Sequence, residues 1–115
     1  MTSESYLAGF DTDLAFHQAL RDKFAPGAPI FITESADGAC GGNTWAPTFA
    51  EAIRYLDELA RFCVQEPGGV SFHNTLASGA YGLLDTHTFQ PRPAYWAAWL
   101  FGQLAGETVY STGVP

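Results

Sequence analysis

A glutamate at position 34 is the residue of this sequence whose surroundings best support chemistry. It follows the apolar run 30–33, which predicts a strand buried on both faces, as in a parallel sheet. The loop that comes next, 35–43, contains three glycines. Functional side chains of parallel α/β proteins collect at this end of the strands, so Glu34 could serve as a nucleophile or an acid/base. The alternative is a structural glutamate beside a helix N-terminus or in a salt bridge.

Two further candidates, His73 and Asn74, end the run 70–73, which predicts a second strand. The carboxyl ends of parallel strands meet at one edge of the sheet, so both side chains should face the edge that carries Glu34. A single histidine in such a place is more often a hydrogen-bonded structural residue, and that alternative stays open.

The glycine pair Gly41–Gly42 and the tyrosine Tyr81 are candidates for binding a ligand. Backbone N–H groups at paired glycines can bind an anion, although a plain loop turn is the simpler explanation. The pair is not part of a phosphate loop, because no lysine follows and the G-x-G-x-x-G pattern is absent. Tyr81 lies among small residues that leave its hydroxyl exposed in a loop, which is a weak signal on its own.

The elements that must position these residues alternate along the chain. Periodicity, capping residues and Pro-Gly stops predict a helix, a strand, a helix, a strand and a helix, at about 11–24, 30–33, 47–63, 70–73 and 94–105. Strands that alternate with amphipathic helices pair in parallel, so the fold class is α/β. Residues 107–110 could start another strand.

The second long helix has the clearest amphipathic pattern. We expect its apolar stripe to be buried, and that stripe consists of Phe49, Ala52, Ile53, Leu56, Leu59, Ala60 and Cys63. The charged residues occupy the other side, where Asp57 and Arg61 are correctly spaced for an ion pair.

The length of the chain indicates an incomplete sheet. Two parallel strands need neighbours on both edges and helices on both faces. A complete (β/α)₈ barrel takes roughly 250 residues, whereas this chain has 115. The sequence therefore predicts a piece of a larger α/β domain.

Composition and charge exclude several classes of function. A hydrophobic content of 47% with 15% aromatic residues excludes a disordered polypeptide. The net charge of -7, with only five basic residues, argues against a nucleic acid partner, because neutralising phosphates requires clustered Lys and Arg. The sequence contains no apolar run long enough for a membrane span and no zinc-ligand spacing, so neither a metal nor another cofactor is predicted.

Several motifs, in order and spacing, match one known family. They are residues 31–35, Cys40-Gly41-Gly42, Thr48-Phe49 with 55–59, and the segment 80–96 with its prolines and its Tyr95-Trp96 pair. Together they cover about residues 10–110, and the chain resembles the heparanase-like family, glycoside hydrolase family 79. That family includes heparanases and β-glucuronidases.

The resemblance implies a retaining hydrolase of β-linked glucuronic acid, built as a (β/α)₈ barrel followed by a small β-sandwich. The seventh strand of such a barrel carries the nucleophile, which matches Glu34. The glycines after it hold the uronate carboxylate through backbone N–H groups, which matches Gly41 and Gly42, and a tyrosine after the eighth strand, matching Tyr81, binds the same carboxylate. The family's acid/base glutamate lies in an Asn-Glu pair on the fourth strand, and this sequence contains no such pair.

By this resemblance, residues 1–106 are the C-terminal portion of the barrel, with its last two βα units, and residues 107–115 are the start of a β-sandwich segment or a tail. The expected partners are a glucuronic-acid-containing glycan or glucuronide and the missing part of the barrel. The isolated chain should be inactive, and the family suggests a secreted or lysosomal location. Two alternatives stay open: a non-catalytic fragment that acts as an interaction module, and another glycosidase family with a seventh-strand glutamate.

Overall fold

Helices and strands alternate along the chain, as the sequence predicts. The computed structural model describes residues 2–73 and 75–110. Its elements are α1 (Glu4–Leu7), α2 (Gly9–Phe24), β1 (Phe31–Ser35), α3 (Phe49–Gln65), β2 (Val70–His73) and α4 (Pro93–Gly102). The five predicted elements are all present, and the single turn α1 is an addition that the sequence pattern did not indicate.

The strands form a parallel pair with α3 as the connection between them. Phe31 lies opposite Val70, and Ser35 lies opposite His73, with an irregularity in the register between these two pairs. Both strands therefore end at the same edge. A mixed fold with a parallel sheet confirms the α/β class.

Local signals explain where α3 begins and how the chain leaves it. The hydroxyl of Thr48 accepts a hydrogen bond from the backbone N–H of Ala50 at 3.3 Å, a side-chain cap of the first turn. After α3, Gly68 has φ +91, a left-handed conformation that favours glycine and turns the chain toward β2.

The predicted burial of α3 is wrong in detail. Phe49 and Ile53 are 76% and 52% exposed, whereas the buried face consists of Glu51, Ala52, Arg54, Tyr55, Glu58 and Phe62. The charged members can be buried because they pair with one another. Ala52 and Tyr55 pack against Ala97 of α4, and this small core leaves much of the apolar stripe uncovered.

Burial of the strands is also lower than predicted. Phe31 of β1 and Phe72 of β2 are 55% and 53% exposed, because the two-stranded sheet is covered on only part of its surface. On α4, Trp96 and Trp99 are also more than half exposed. Residues 107–110 form no strand, and residues 111–115 lie outside the described part of the chain.

Candidate active site

Glu34 lies one residue from the end of β1, with its side chain exposed. It lines a groove of about 660 Å³ between α2 and β1, together with Leu14, Arg21 and Glu58. The next residue, Ser35, is buried and is the register partner of His73. The structure thus places Glu34 at the carboxyl end of its strand, next to the end of β2, in an accessible position suited to a nucleophile or an acid/base.

A buried network of polar side chains lies behind the end of β1. The hydroxyl of Ser35 donates a short hydrogen bond to Glu58, and Arg54 donates another short one to the second oxygen of Glu58. Arg54 also binds Glu51 through two hydrogen bonds, each 2.7 Å long. This network attaches the residue after Glu34 to α3 through charge-assisted bonds, which are stronger than neutral ones.

Burial and ion pairing have opposite effects on the pKa values of this network. Burial raises the pKa of Glu51, against the opposing effect of the Arg54 guanidinium. Burial alone would lower the pKa of Arg54, but its bonds to Glu51 and the charge of Glu58 hold that pKa above its ordinary value. Arg54 therefore stays cationic, and its positive charge offsets the free-energy cost of burying the carboxylates of Glu51 and Glu58.

The loop after β1 is held in a tight conformation by Asp37. Its carboxylate accepts a hydrogen bond from the backbone N–H of Asn43 at 2.7 Å. Between them, Cys40, Gly41 and Gly42 have φ angles of 56, 104 and 86. One carboxylate oxygen of Asp37, Oδ1, is buried and has no hydrogen-bond partner among the described residues.

Gly42 is where the loop after β1 meets the loop after β2. A Cβ atom at Gly42 would lie 2.7 Å from Oδ1 of Asp37 and 3.0 Å from Cδ1 of Tyr81, so a larger residue would collide. The backbone N–H of Ala80 donates to the carbonyl of Gly41 at 3.2 Å. The glycine pair and Tyr81 are thus neighbours. The N–H of Gly42 itself contacts the carbonyl of Ala39 at 3.4 Å, a weak bond.

His73 packs against the helix side of the sheet. Its ring lies 5.1 Å from the ring of Tyr55 in an edge-to-face arrangement, and Nδ1 lies 3.3 Å from the carbonyl oxygen of Thr75. Nε2 is buried and has no hydrogen-bond partner within the described part of the chain, and burial lowers the pKa of the ring. Asn74, the other predicted residue at this strand end, lies outside the described residues.

Several residues of this region were not singled out from the sequence. Asp37 had a signal in the Asp-Gly pair that begins the glycine-rich loop. Arg54 and Glu58 have the i, i+4 spacing of a helix pair, but a solvated face was the natural expectation for them. The predicted pair of Asp57 and Arg61 is present, at 2.7 Å.

The described residues contain neither a candidate metal site nor a helix that could span a membrane. Within 2–73 and 75–110, no group of three or more His, Cys, Asp or Glu side chains could hold a metal ion. In the same part of the chain, every helix is too short or too polar to cross a membrane.

Known proteins with similar sequences include two heparanase-like proteins and a hyaluronoglucuronidase, although no family model matches the chain. Heparanase-like protein 2 of Arabidopsis thaliana is 33% identical over 114 residues, which cover 91% of this chain and 20% of that protein. Heparanase-like protein 1 of the same plant is 38% identical over 85 residues, 73% of this chain and 16% of that protein.

A hyaluronoglucuronidase of Hirudo nipponia is 29% identical over 87 residues, 75% of this chain and 18% of the leech protein. The chain thus spans about a fifth of the length of the curated relatives that it matches. Over that segment, this chain is a relative of the heparanase-like glycoside hydrolases.

Proposed function

We propose that this chain is the C-terminal segment of the catalytic (β/α)₈ barrel of a retaining β-glucuronidase of the heparanase-like kind. The observation that carries the proposal is the close approach of Gly42 and Tyr81, which lie in the loops that follow the strand of Glu34 and the strand of His73. A nucleophile and a carboxylate-binding site that act on one sugar ring must lie at the same end of the strands, and both loops begin at that end.

In the proposed mechanism, the carboxylate of Glu34 attacks the anomeric carbon and a second carboxylic acid protonates the leaving oxygen. Retaining glycosidases place the two groups roughly 5–5.5 Å apart. The exposure of Glu34 gives a sugar access to it, and the hydrogen bond of Ser35 to Glu58 restricts the strand end that carries it. The acid/base residue belongs to the remainder of the barrel, so this chain alone should not hydrolyse a glycoside.

The uronate carboxylate binds, in this proposal, to backbone N–H groups of the loop with Gly41 and Gly42 and to the hydroxyl of Tyr81. An acidic chain, with a net charge of -7, needs local donors to hold an anionic sugar. Successive backbone amides in a left-handed turn supply such donors without lysine or arginine. The positive φ angles from Cys40 to Gly42 are the kind of backbone that makes such a concavity.

Exposed apolar surface supports a segment of a larger folded body. Large apolar side chains on α3 and α4 are more than half exposed, namely Phe49, Ile53, Val64, Trp96, Trp99 and Leu100. Both strands have only each other as partners among the described residues. Proteins rarely leave contiguous apolar faces and strand edges uncovered, so the rest of the barrel is the expected partner.

The uronate site can be tested with the chain itself. Titration of ¹⁵N-labelled protein with sodium glucuronate should shift the amide signals of Gly41, Gly42 and Tyr81. Glucose, which has the same ring and no carboxylate, should leave them in place. Equal responses to both sugars, or responses confined to residues far from β1, would rule out the proposed site.

A further inference from the structure

We propose that Arg92 is a positioning residue for Tyr81, whose place against Gly42 depends on the guanidinium group. This inference rests on the proposed function, in which Tyr81 binds the carboxylate of a glucuronic acid. It adds to that site a residue that does not itself touch the sugar.

The contacts of Arg92 converge on the residues immediately before Tyr81. Its Nη1 donates to the carbonyl of Gly79 at 2.8 Å and to the carbonyl of Ala80 at 2.6 Å. Each carbonyl lies in the planar peptide unit that leads to the next residue. The guanidinium therefore fixes the two peptide planes that set the direction in which Tyr81 leaves the backbone.

The second nitrogen of the same group is held by Asp85. Nη2 donates to Oδ2 of Asp85 at 3.1 Å. Asp85 is in turn fixed, because its other oxygen accepts backbone N–H bonds from Thr88 and His87 at 2.9 and 3.0 Å. These backbone bonds, together with Arg92, hold the pKa of Asp85 below its ordinary range, so the partner of the guanidinium stays ionised.

The backbone of Arg92 is fixed as well. Its N–H donates to the carbonyl of Leu83 at 2.9 Å, and the residue stands directly before Pro93, the first residue of α4. Proline restricts the residue before it to extended conformations. The side chain thus projects from the start of α4, and it is only 15% exposed.

The same stretch of chain continues to the glycine loop. The N–H of Ala80 donates to the carbonyl of Gly41, and the Tyr81 ring lies where a side chain at Gly42 would be. A line of contacts therefore runs from α4 through Arg92 and Ala80 to the glycine pair. A binding site needs its contact groups fixed by such supporting bonds, since a displacement of about 1 Å loses affinity.

Replacement of Arg92 by lysine or by methionine removes its hydrogen bonds to different extents. Arginine presents several donors in a rigid planar fork, whereas lysine is a point charge that cannot reproduce the same set of bonds. Methionine keeps much of the length and apolar contact but donates nothing. The order Arg92, Arg92→Lys, Arg92→Met should therefore be the order of decreasing affinity for glucuronate.

The test measures glucuronate affinity of the 115-residue chain by NMR titration, in a double-mutant cycle with Tyr81→Phe. Arg92→Met should weaken binding about tenfold, which corresponds to about 1.4 kcal/mol. In the Tyr81→Phe background it should have little further effect, because a positioning residue acts through the group that it positions. Arg61→Met, which removes an arginine from a cluster with Glu4, Asp11 and Asp57, is the matched control and should leave affinity unchanged.

The inference would be overturned if Arg92→Met weakened glucuronate binding equally with and without Tyr81→Phe, or if it weakened binding in neither case. If Arg92→Met does not fold, Arg92→Lys and Asp85→Asn enter the same cycle with the same criteria. If the unmodified chain does not prefer glucuronate to glucose, the proposed function is wrong. The effect of Arg92 on the backbone before Tyr81 is then tested separately, by amide hydrogen exchange. Faster exchange of the Ala80 amide in Arg92→Met would then support the role of Arg92, and an unchanged rate would refute it.

Discussion

Ser35 and His73 lie opposite each other as the last paired residues of β1 and β2. The first is bonded to Glu58 of α3, and the second packs on Tyr55 of the same helix. One helix therefore fixes the ends of both strands at the edge where Glu34 stands. Loss of the α3 contacts made by Glu58 or Tyr55 should therefore alter this edge.

Removal of Arg54 should be costly. Arg54→Met would leave the carboxylates of Glu51 and Glu58 buried without their cation, which costs about 3 kcal/mol or more when one partner of a buried pair is lost. Arg61→Met, whose carboxylate partners are more exposed, should cost about 1 kcal/mol or less. Urea unfolding of both variants measures the difference, and equal losses would show that the Arg54 network does not stabilise the fold.

Acid should destabilise the chain through His73. Burial lowers the pKa of this ring in the folded state from its ordinary value of 6.5. The unfolded state then binds more protons as pH falls through 6.5 toward the lower folded value, so the free energy of unfolding decreases over that window. Replacement of His73 by Gln should flatten the dependence of stability on pH between about 7 and 5. The exposed His87, changed to Gln, is the control and should leave the profile as it is.

Alanine at Gly42 should disturb the glycine loop more than alanine at Gly27. Both glycines have positive φ, +86 and +80, but a Cβ at Gly27 meets no atom within 4 Å. The shared backbone strain costs roughly 1–2 kcal/mol for each, and only Gly42→Ala adds the collision with Asp37 and Tyr81. We expect it alone to abolish the glucuronate response. Similar binding by both variants would mean that Gly42 and Tyr81 do not need their close contact.

The uncovered apolar faces should make the isolated chain associate. We expect concentration-dependent oligomers in analytical ultracentrifugation and binding of an apolar dye. Ile53→Lys combined with Trp99→Gln should reduce both, since the two side chains are 52% and 53% exposed. A chain that stays monomeric at high concentration without binding dye would contradict the assignment to a larger barrel. A single defined oligomer that unfolds cooperatively would favour the interaction-module alternative.

Periodicity and capping residues were sufficient to predict the elements and their parallel pairing. Val70–His73 was predicted with its observed bounds, because Pro67-Gly68-Gly69 and a β-branched start mark it clearly. From that order alone, Glu34 and His73 had to share an edge. Only the family resemblance, in which both residues bind one carboxylate, indicated that Gly42 and Tyr81 lie close together, since 38 residues stand between them in the sequence.

The pattern of residue types did not reveal which side chains are buried. A solvated helix face was the natural expectation for Glu51, Arg54 and Glu58, because burying any one of these charges alone costs free energy. Only the pairing of the three side chains in the folded structure offsets that cost. The role of Arg92 was hidden for a similar reason. Its partners are two backbone carbonyls and a carboxylate several residues away, and no sequence pattern specifies such bonds.

The proposed role of Glu34 as the nucleophile can be tested most directly by covalent trapping. The chain would replace the matching segment of Arabidopsis heparanase-like protein 2, to which it is 33% identical over 114 residues. A 2-fluoro-glucuronosyl fluoride, which forms the glycosyl-enzyme and slows its hydrolysis, would then be added and the peptides analysed by mass spectrometry. We predict a glycosyl adduct on Glu34 that is absent in Glu34→Gln, and an adduct on another carboxylate, or undiminished turnover by Glu34→Gln, would contradict the account.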